Sequence, residues 1–292
     1  MHELVIKDGA ARTGQHCDAL ARCDVDGEVT LNLTGLTFVG PLFLVRLRAW
    51  LDLHDHFGTP INVLLPESED VCRYMSRMHL DHDLGPNITM DLPPVRENPR
   101  GDRLIPLTKV IAETDNEFDD LLGDLLDSDD MRNAGYLAEV VDEAAQEMVL
   151  NATAHGQNPI GAYVAAQRFY DNYSTSPHRC VLAIGDLGMG MAAHLVRGGQ
   201  GQVNDAATIA HGMQDMVSGT GRDERGRGYS VPFEMAVQKE AAYVRLRVRA
   251  NNGWVERRDG KAPRALSTAR TPTMPGTWVE FEFAHAKSPP SP

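Results

Sequence analysis

Four short stretches of this chain carry residue types that could do chemistry together. The first is Glu147-x-x-x-Asn151, inside residues 140–156 (VVDEAAQEMVLNATAHG). Val140, Val141, Ala144, Ala145, Met148 and Ala152 recur there at helical spacing, which predicts a helix with one apolar side. Glu143, Glu147, Asn151 and His155 follow one another at intervals of four, so they stack along a second side that no Lys or Arg interrupts. Alone, that stripe is what any amphipathic helix carries. The second stretch is Asp186-Leu187-Gly188-Met189-Gly190, after a predicted strand at 179–184 (RCVLAI). The third is Gly226-Arg227-Gly228, ahead of a predicted helix (YSVPFEMAVQK). The fourth is Gly276-Thr277, opening an alternating strand at 278–283 (WVEFEF). Each glycine box alone reads as a turn.

Together the four suit a nucleoside triphosphate. The amide oxygen of Asn151 is a ligand type for Mg²⁺, a hard cation that prefers oxygen. Glu147, one turn earlier, is placed to orient or deprotonate an attacking water or hydroxyl. A carboxylate at Asp186 can accept a hydrogen bond from the exocyclic amine of adenine, where guanine offers a carbonyl, and so would select ATP over GTP. Gly188 and Gly190 let the backbone pass close to base and ribose. Gly226 and Gly228 at a helix N-terminus present bare N–H groups to phosphates, and Arg222, Arg225 or Arg227 could add charge there.

The rest of the chain must position these groups. Its formal net charge of -13 repels phosphate backbones and anionic lipid, which argues against nucleic-acid or membrane partners but not against a local anion site. No apolar run reaches the length of a membrane span, and MHELVIKDG lacks the pattern of a secretory signal, so the expected location is the cytoplasm. Cys17, Cys23, Cys72 and Cys180 are scattered, as reduced thiols are, with no zinc-ligand spacing.

Residues 1–92 read as a small α/β unit. Strands are predicted at 2–6, 28–33 and 60–65, and helices at 41–58 and 67–80; strand–helix alternation implies a parallel sheet. Pro41 suits the first turn of its helix and Gly58 its stop; Leu44, Leu47, Leu51 and His54 fall on one face. Residues 91–104 (DLPPVRENPRGDRL) read as a linker, and 118–126 as a connecting helix before the acidic stretch 127–130. Residues 160–170 fit helix or strand equally. The glycine-, Asp- and Arg-rich segment 197–227 contains one helical run near 206–216. Residues 243–249 (YVRLRVR) and 278–283 alternate strictly, which predicts a sheet covered on one side, with Arg245, Arg247 and Arg249 facing Glu280 and Glu282 if the strands are neighbours. The tail KSPPSP is expected to be disordered.

Two resemblances follow. VTLNLTGLTFVGPLFL resembles the strand, loop and helix start of STAS domains, familiar from anti-sigma factor antagonists. Where that family carries its regulatory serine, this chain has Val39-Gly40-Pro41-Leu42, with no hydroxyl; Thr37 lies before the turn. Residues 130–285 resemble the Bergerat-fold (GHKL) ATPases, closest to the histidine-kinase and anti-sigma-kinase branches through NATAHG and IGDLGMGM. The resemblance implies ATP and Mg²⁺ as cofactors, Glu147 as base and Asn151 as metal ligand. It implies nucleotide contacts from His155, Asp186, Gly188, Gly190, Arg225, Gly226, Arg227, Gly228 and Thr277, with residues 191–225 as a lid. No His lies between His82 and Val140, so a phosphoacceptor hairpin is absent there, and no P-loop GxxxxGK[ST] is present.

The expected architecture is two-domain α/β (α+β): a STAS-like unit at 1–92, a connecting segment at 93–130, a Bergerat-type sandwich at 131–286 with a mixed sheet covered by helices on one face, and a tail at 287–292. The expected function is an ATP·Mg-binding regulator acting on a protein partner, with a homodimer left open. Either it is a serine/threonine kinase of the anti-sigma type or a slow ATPase, or ATP only orders the lid of a non-catalytic switch or stress or defence sensor.

Overall fold

The computed structural model describes residues 2–8, 20–21, 27–95, 104–111, 116–126, 136–156, 160–169, 178–214, 230–238, 241, 243–267 and 271–285. Two sheets organise them. The first holds β1 (His2–Val5), β2 (Val29–Asn32), β3 (Ile61–Leu64) and β4 (Ile88–Thr89), in that order and parallel throughout. Its helices are α1 (Pro41–His56) and α2 (Glu69–Arg77), so the predicted strand–helix alternation holds. Val29 and Leu31 of β2 point inward and are fully buried, as period-two alternation requires. Before α1, the backbone N–H and hydroxyl of Thr37 both donate to the Asp8 carboxylate, at 2.8 and 2.6 Å.

The second sheet has seven strands: β5 (Leu104–Val110), β6 (Ala162–Phe169), β7 (His178–Asp186), β8 (Tyr243–Asn251), β9 (Gly253–Arg258), β10 (Arg264–Ala265) and β11 (Met274–His285). Their order is β10-β9-β8-β11-β7-β6-β5, and every pairing is antiparallel. The sheet is therefore antiparallel where a mixed one was expected. Residues 160–170, ambiguous in sequence, form β6. β5 lies inside the stretch read as connecting segment; Pro106 sits in it beside a register shift, which an edge strand tolerates.

One face of this sheet carries α3 (Asn116–Leu126), α4 (Tyr136–Gly156), α5 (Met191–Arg197), α6 (Asp205–Gly212) and α7 (Ser230–Gln238). Val140, Val141, Ala144, Ala145, Met148 and Ala152 of α4 join one core with Val164, Leu182, Ile184, Val248, Phe281 and Phe283. The apolar side of α4 is thus its sheet-facing side.

The opposite face is not left to solvent. α1 packs on β6, β7 and β11 as well as on β3. Tyr163, Ala165, Ala183 and Trp278 from that face share a core with Leu44, Val45, Leu47 and Trp50 of α1. The expectation of a sheet covered on one face is therefore corrected. Its cause is the parity of WVEFEF: Trp278 falls on the same side as Glu280 and Glu282, so an apolar patch continues the charged ladder. Burying an aromatic of that size contributes about 2–3 kcal/mol, enough to attract a helix. α1 is accordingly buried almost all round, as a helix between two layers must be.

Beyond α1 the ladder is ionic, as predicted. Arg245 lies opposite Glu282 and Arg247 opposite Glu280. Arg247 donates to Glu256 at 3.0 Å and to Glu280 at 3.1 Å; Arg245 pairs with Glu280 and Glu282. Arg249 departs from this pattern. It lies opposite Trp278 and donates to the Pro272 carbonyl. Among the described residues, no helix is long and apolar enough to cross a membrane. Cys72 and Cys180 are free and buried; Cys17, Cys23, the acidic stretch 127–130 and the tail lie outside the described residues.

Candidate functional site

The second and fourth sequence stretches meet at one end of the seven-strand sheet. β7 ends on Asp186, which lies opposite Ala162 of β6, while the preceding Gly185 lies opposite Trp278 of β11. Thr277 therefore sits beside Asp186. The Asp186 carboxylate is 3% exposed and accepts from the backbone N–H of Gly188 at 2.7 Å and from that of Thr277. Burial pushes its pKa up to about 7, against the pull of these two hydrogen bonds. A carboxyl this buried, with two donors holding it in place, is a fixed acceptor rather than a solvated surface charge.

Two glycines close the clasp. Gly276 has φ +77°, and a Cβ there would stand 1.7 Å from the Asp186 carbonyl oxygen. Gly190 has φ +84°, and its Cβ would stand 2.8 Å from the Gly276 carbonyl oxygen. Both positions combine the left-handed backbone with contact against other backbone, which excludes side chains on two counts. Gly190 is also the N-cap of α5 and offers no side chain to cap it. Thr277 does so from across the sheet: its hydroxyl oxygen accepts from the Met191 N–H at 2.8 Å. The 186–190 and 276–277 stretches thus form one interlocked unit. Sequence reasoning singled out Asp186, Gly188, Gly190 and Thr277; it missed Gly185, where a Cβ would lie 2.2 Å from the Trp278 ring. Its signal was present in the Ile184-Gly185-Asp186 step, a glycine inside a buried strand.

Above the sheet, α4 carries Glu143, Glu147 and Asn151 half-buried on one stripe. Burial raises the Glu147 pKa, and the neighbouring Glu143 charge raises it further. Both carboxylates line a cleft of about 580 Å³ between α3 and α4, floored by Phe118, Leu122 and Val149. The Nδ2 atom of Asn151 is buried with no hydrogen-bond partner among the described residues. Leaving a buried amide unpaired costs about 1–3 kcal/mol, so the Asn151 side chain has capacity for a further polar partner. A half-turn about the Cβ–Cγ bond exchanges this NH₂ for the amide oxygen.

Not every predicted residue can be placed. His155 lies in the last turn of α4, but its side chain is outside the described set, as are Arg222, Arg225, Gly226, Arg227 and Gly228. α7 begins two residues after Gly228 and packs on α4. Of the predicted lid, α5 and α6 are described and residues 215–225 are not. Among the described residues, no hydrogen bond or ion pair ties Glu147 or Asn151 to the clasp; α4 packs on β7 and β11, the two strands that carry it, through the shared core. No group of three or more His, Cys, Asp or Glu side chains among the described residues is arranged to hold a metal. Comparison with family models, with curated proteins and with solved structures finds no match for this chain.

Proposed function

We propose that this chain binds ATP with Mg²⁺ and acts as a regulatory protein on a protein partner, as a serine/threonine kinase of the anti-sigma type or a slow ATPase. On this reading residues 130–285 are a GHKL-type domain and the first domain is STAS-like. The observation that carries it is the clasp: a buried, doubly hydrogen-bonded carboxyl at a strand end, locked between two glycines that no other residue can replace. Asp186 accepts the adenine amine, Thr277 fixes the start of α5 beside it, and Gly188 and Gly190 keep side chains away from base and ribose. Asn151 supplies a protein ligand to Mg²⁺, which when bound neutralises phosphate charge. Glu147 takes the proton from the attacking hydroxyl or water; its raised pKa brings it closer to the range a general base needs at neutral pH. The Arg225–Gly228 segment and His155 contact phosphates.

One observation favours the second reading, a switch without chemistry. Glu147 lines the α3–α4 cleft beside Glu143 and makes no bond to the clasp. ATP would then only order residues 191–225 and set partner affinity. Mass analysis of nucleotide copurifying with the chain, followed by γ-labelled ATP with Mg²⁺ and candidate partners, separates these. Label transfer or phosphate release that vanishes in Glu147→Ala supports the enzyme. Binding with neither supports the switch. An Asp186→Asn variant that binds ATP as tightly as the wild type would overturn the adenine assignment.

A further inference from the structure

We infer that α1 of the first domain is the back support of the clasp, with Arg46 as its positioning residue, so that the first domain sets nucleotide affinity through the sheet from its opposite face. Tyr163, Gly185 and Trp278 form one lateral row across β6, β7 and β11, one step before Asp186 and Thr277. α1 packs on this row, and its two arginines flank it. The Arg46 guanidinium lies 5.4 Å from the Trp278 ring centroid, and that of Arg48 lies 5.7 Å from the Tyr163 ring. Residues two apart on a helix point to opposite sides, so the helix straddles the position where Gly185 has no side chain.

Arg46 is 2% exposed, and its Nε and Nη1 have no hydrogen-bond partner among the described residues. A buried guanidinium with silent N–H groups is costly, which leaves the ring face as the contact that holds it. Trp278 is 1% exposed and donates its indole N–H to the Pro275 carbonyl at 2.8 Å, closing the turn that contains Gly276. Gly276 in turn abuts the backbone of Asp186 and Gly190. A continuous chain of contacts therefore runs from Arg46 through Trp278 and the 275–277 turn to the carboxyl. Asp52 pins the other side of α1: it accepts from the Tyr163 hydroxyl and from Arg48 at 2.9 Å. Arg48 also donates to the carbonyls of His82 and Asp83, tying α1 to the loop after α2.

The positioning role stands on these contacts alone; its effect on ATP rests on the reading of the site given above. Amide hydrogen exchange on the full chain without nucleotide tests the first part. Arg46→Met keeps an unbranched apolar stem and removes the guanidinium and its charge. It is expected to speed exchange at Thr277, Trp278 and Gly188–Met191 about tenfold, with β2 amides unchanged and Arg46→Lys intermediate. Equal exchange in wild type and Arg46→Met overturns the proposal. If Arg46→Met loosens β2 as well, Trp278→Phe decides: it keeps a ring for Arg46 and loses the bond to Pro275 together with some ring volume. Faster exchange confined to 276–277 and its neighbours then supports the proposal, and none overturns it. In titrations, Arg46→Met should weaken ATP binding about five- to tenfold, and ATP should slow exchange in α1 of the wild type. An unaltered affinity overturns the link to the nucleotide. A wild type that binds no ATP sinks the nucleotide reading, while the exchange data still decide the positioning role.

Discussion

If the chain binds ATP as proposed, the burial of Asp186 makes the affinity depend on pH with a definite sign. An adenine amine donates, and the carboxylate accepts from it more strongly than the neutral acid does. With the free-state pKa at about 7, roughly a tenth of the protein carries the carboxylate at pH 6 and roughly nine tenths at pH 8. Apparent affinity should therefore rise by up to about tenfold across that interval and flatten above it. Binding should release close to one proton at pH 6 and almost none at pH 8. Calorimetry in buffers of different ionisation heat measures both quantities. The γ-phosphate also titrates in this range, so the same series on Asp186→Asn isolates its share. That variant should bind more weakly at pH 8 and keep only the phosphate's dependence. Stability gives a readout without ligand. The folded pKa is raised above the unfolded value of 3.8, so the unfolded chain ionises first. The contribution is fully present below pH 3.8 and is lost as pH climbs through about 7, a few kcal/mol at most. Ligand-free Asp186→Asn should then unfold at a higher temperature than the wild type at pH 8 and at about the same temperature at pH 4. An affinity that is flat from pH 6 to 8, or that improves on acidification, would refute the assignment of Asp186 as the acceptor.

Three further outcomes follow from the same contacts. Gly276→Ala combines a positive φ with a 1.7 Å clash against the Asp186 carbonyl and should lower stability by about 3 kcal/mol or more, read as the denaturant midpoint; a loss under about 1 kcal/mol would mean the turn is not locked. Arg247→Ala removes a nearly buried guanidinium from Glu256 and Glu280 and should cost about 2–4 kcal/mol, whereas Arg73→Ala, on an exposed i,i+4 pair with Glu69, should cost under about 0.5 kcal/mol. Equal losses would refute the ranking by burial. Cys180 is fully buried and its thiol is pushed up to about 12, so peptide mapping should find it unlabelled by maleimide at pH 7.5 in the native protein; labelling at the rate of an exposed thiol would place β7 differently.

How far the site could be read beforehand depended on whether a signal was local. Pro41 and Gly58 bounded α1, and strict alternation in 243–249 and 278–283 placed two neighbouring strands with their arginines and glutamates opposed. Spacing alone put Glu143, Glu147 and Asn151 on one stripe of α4. β5 was not legible because Pro106 and Thr108 break the alternation, and an edge strand can afford that irregularity. The second cover on the sheet was hidden for a different reason. Period two assigns residues to two faces but does not say what lies over either. Trp278 falls on the ionic face by parity, yet only the approach of α1, more than two hundred residues earlier in the chain, makes that face a core. The raised pKa of Asp186 has the same origin. A carboxylate after a strand is ordinary in sequence, and its pKa rises to about 7 only because the folded chain buries it. The glycines show why such a site can still be suspected in advance. A left-handed backbone and a backbone-to-backbone contact leave glycine as the one residue that fits, so the boxes mark where two distant segments must touch before either segment's partner is known.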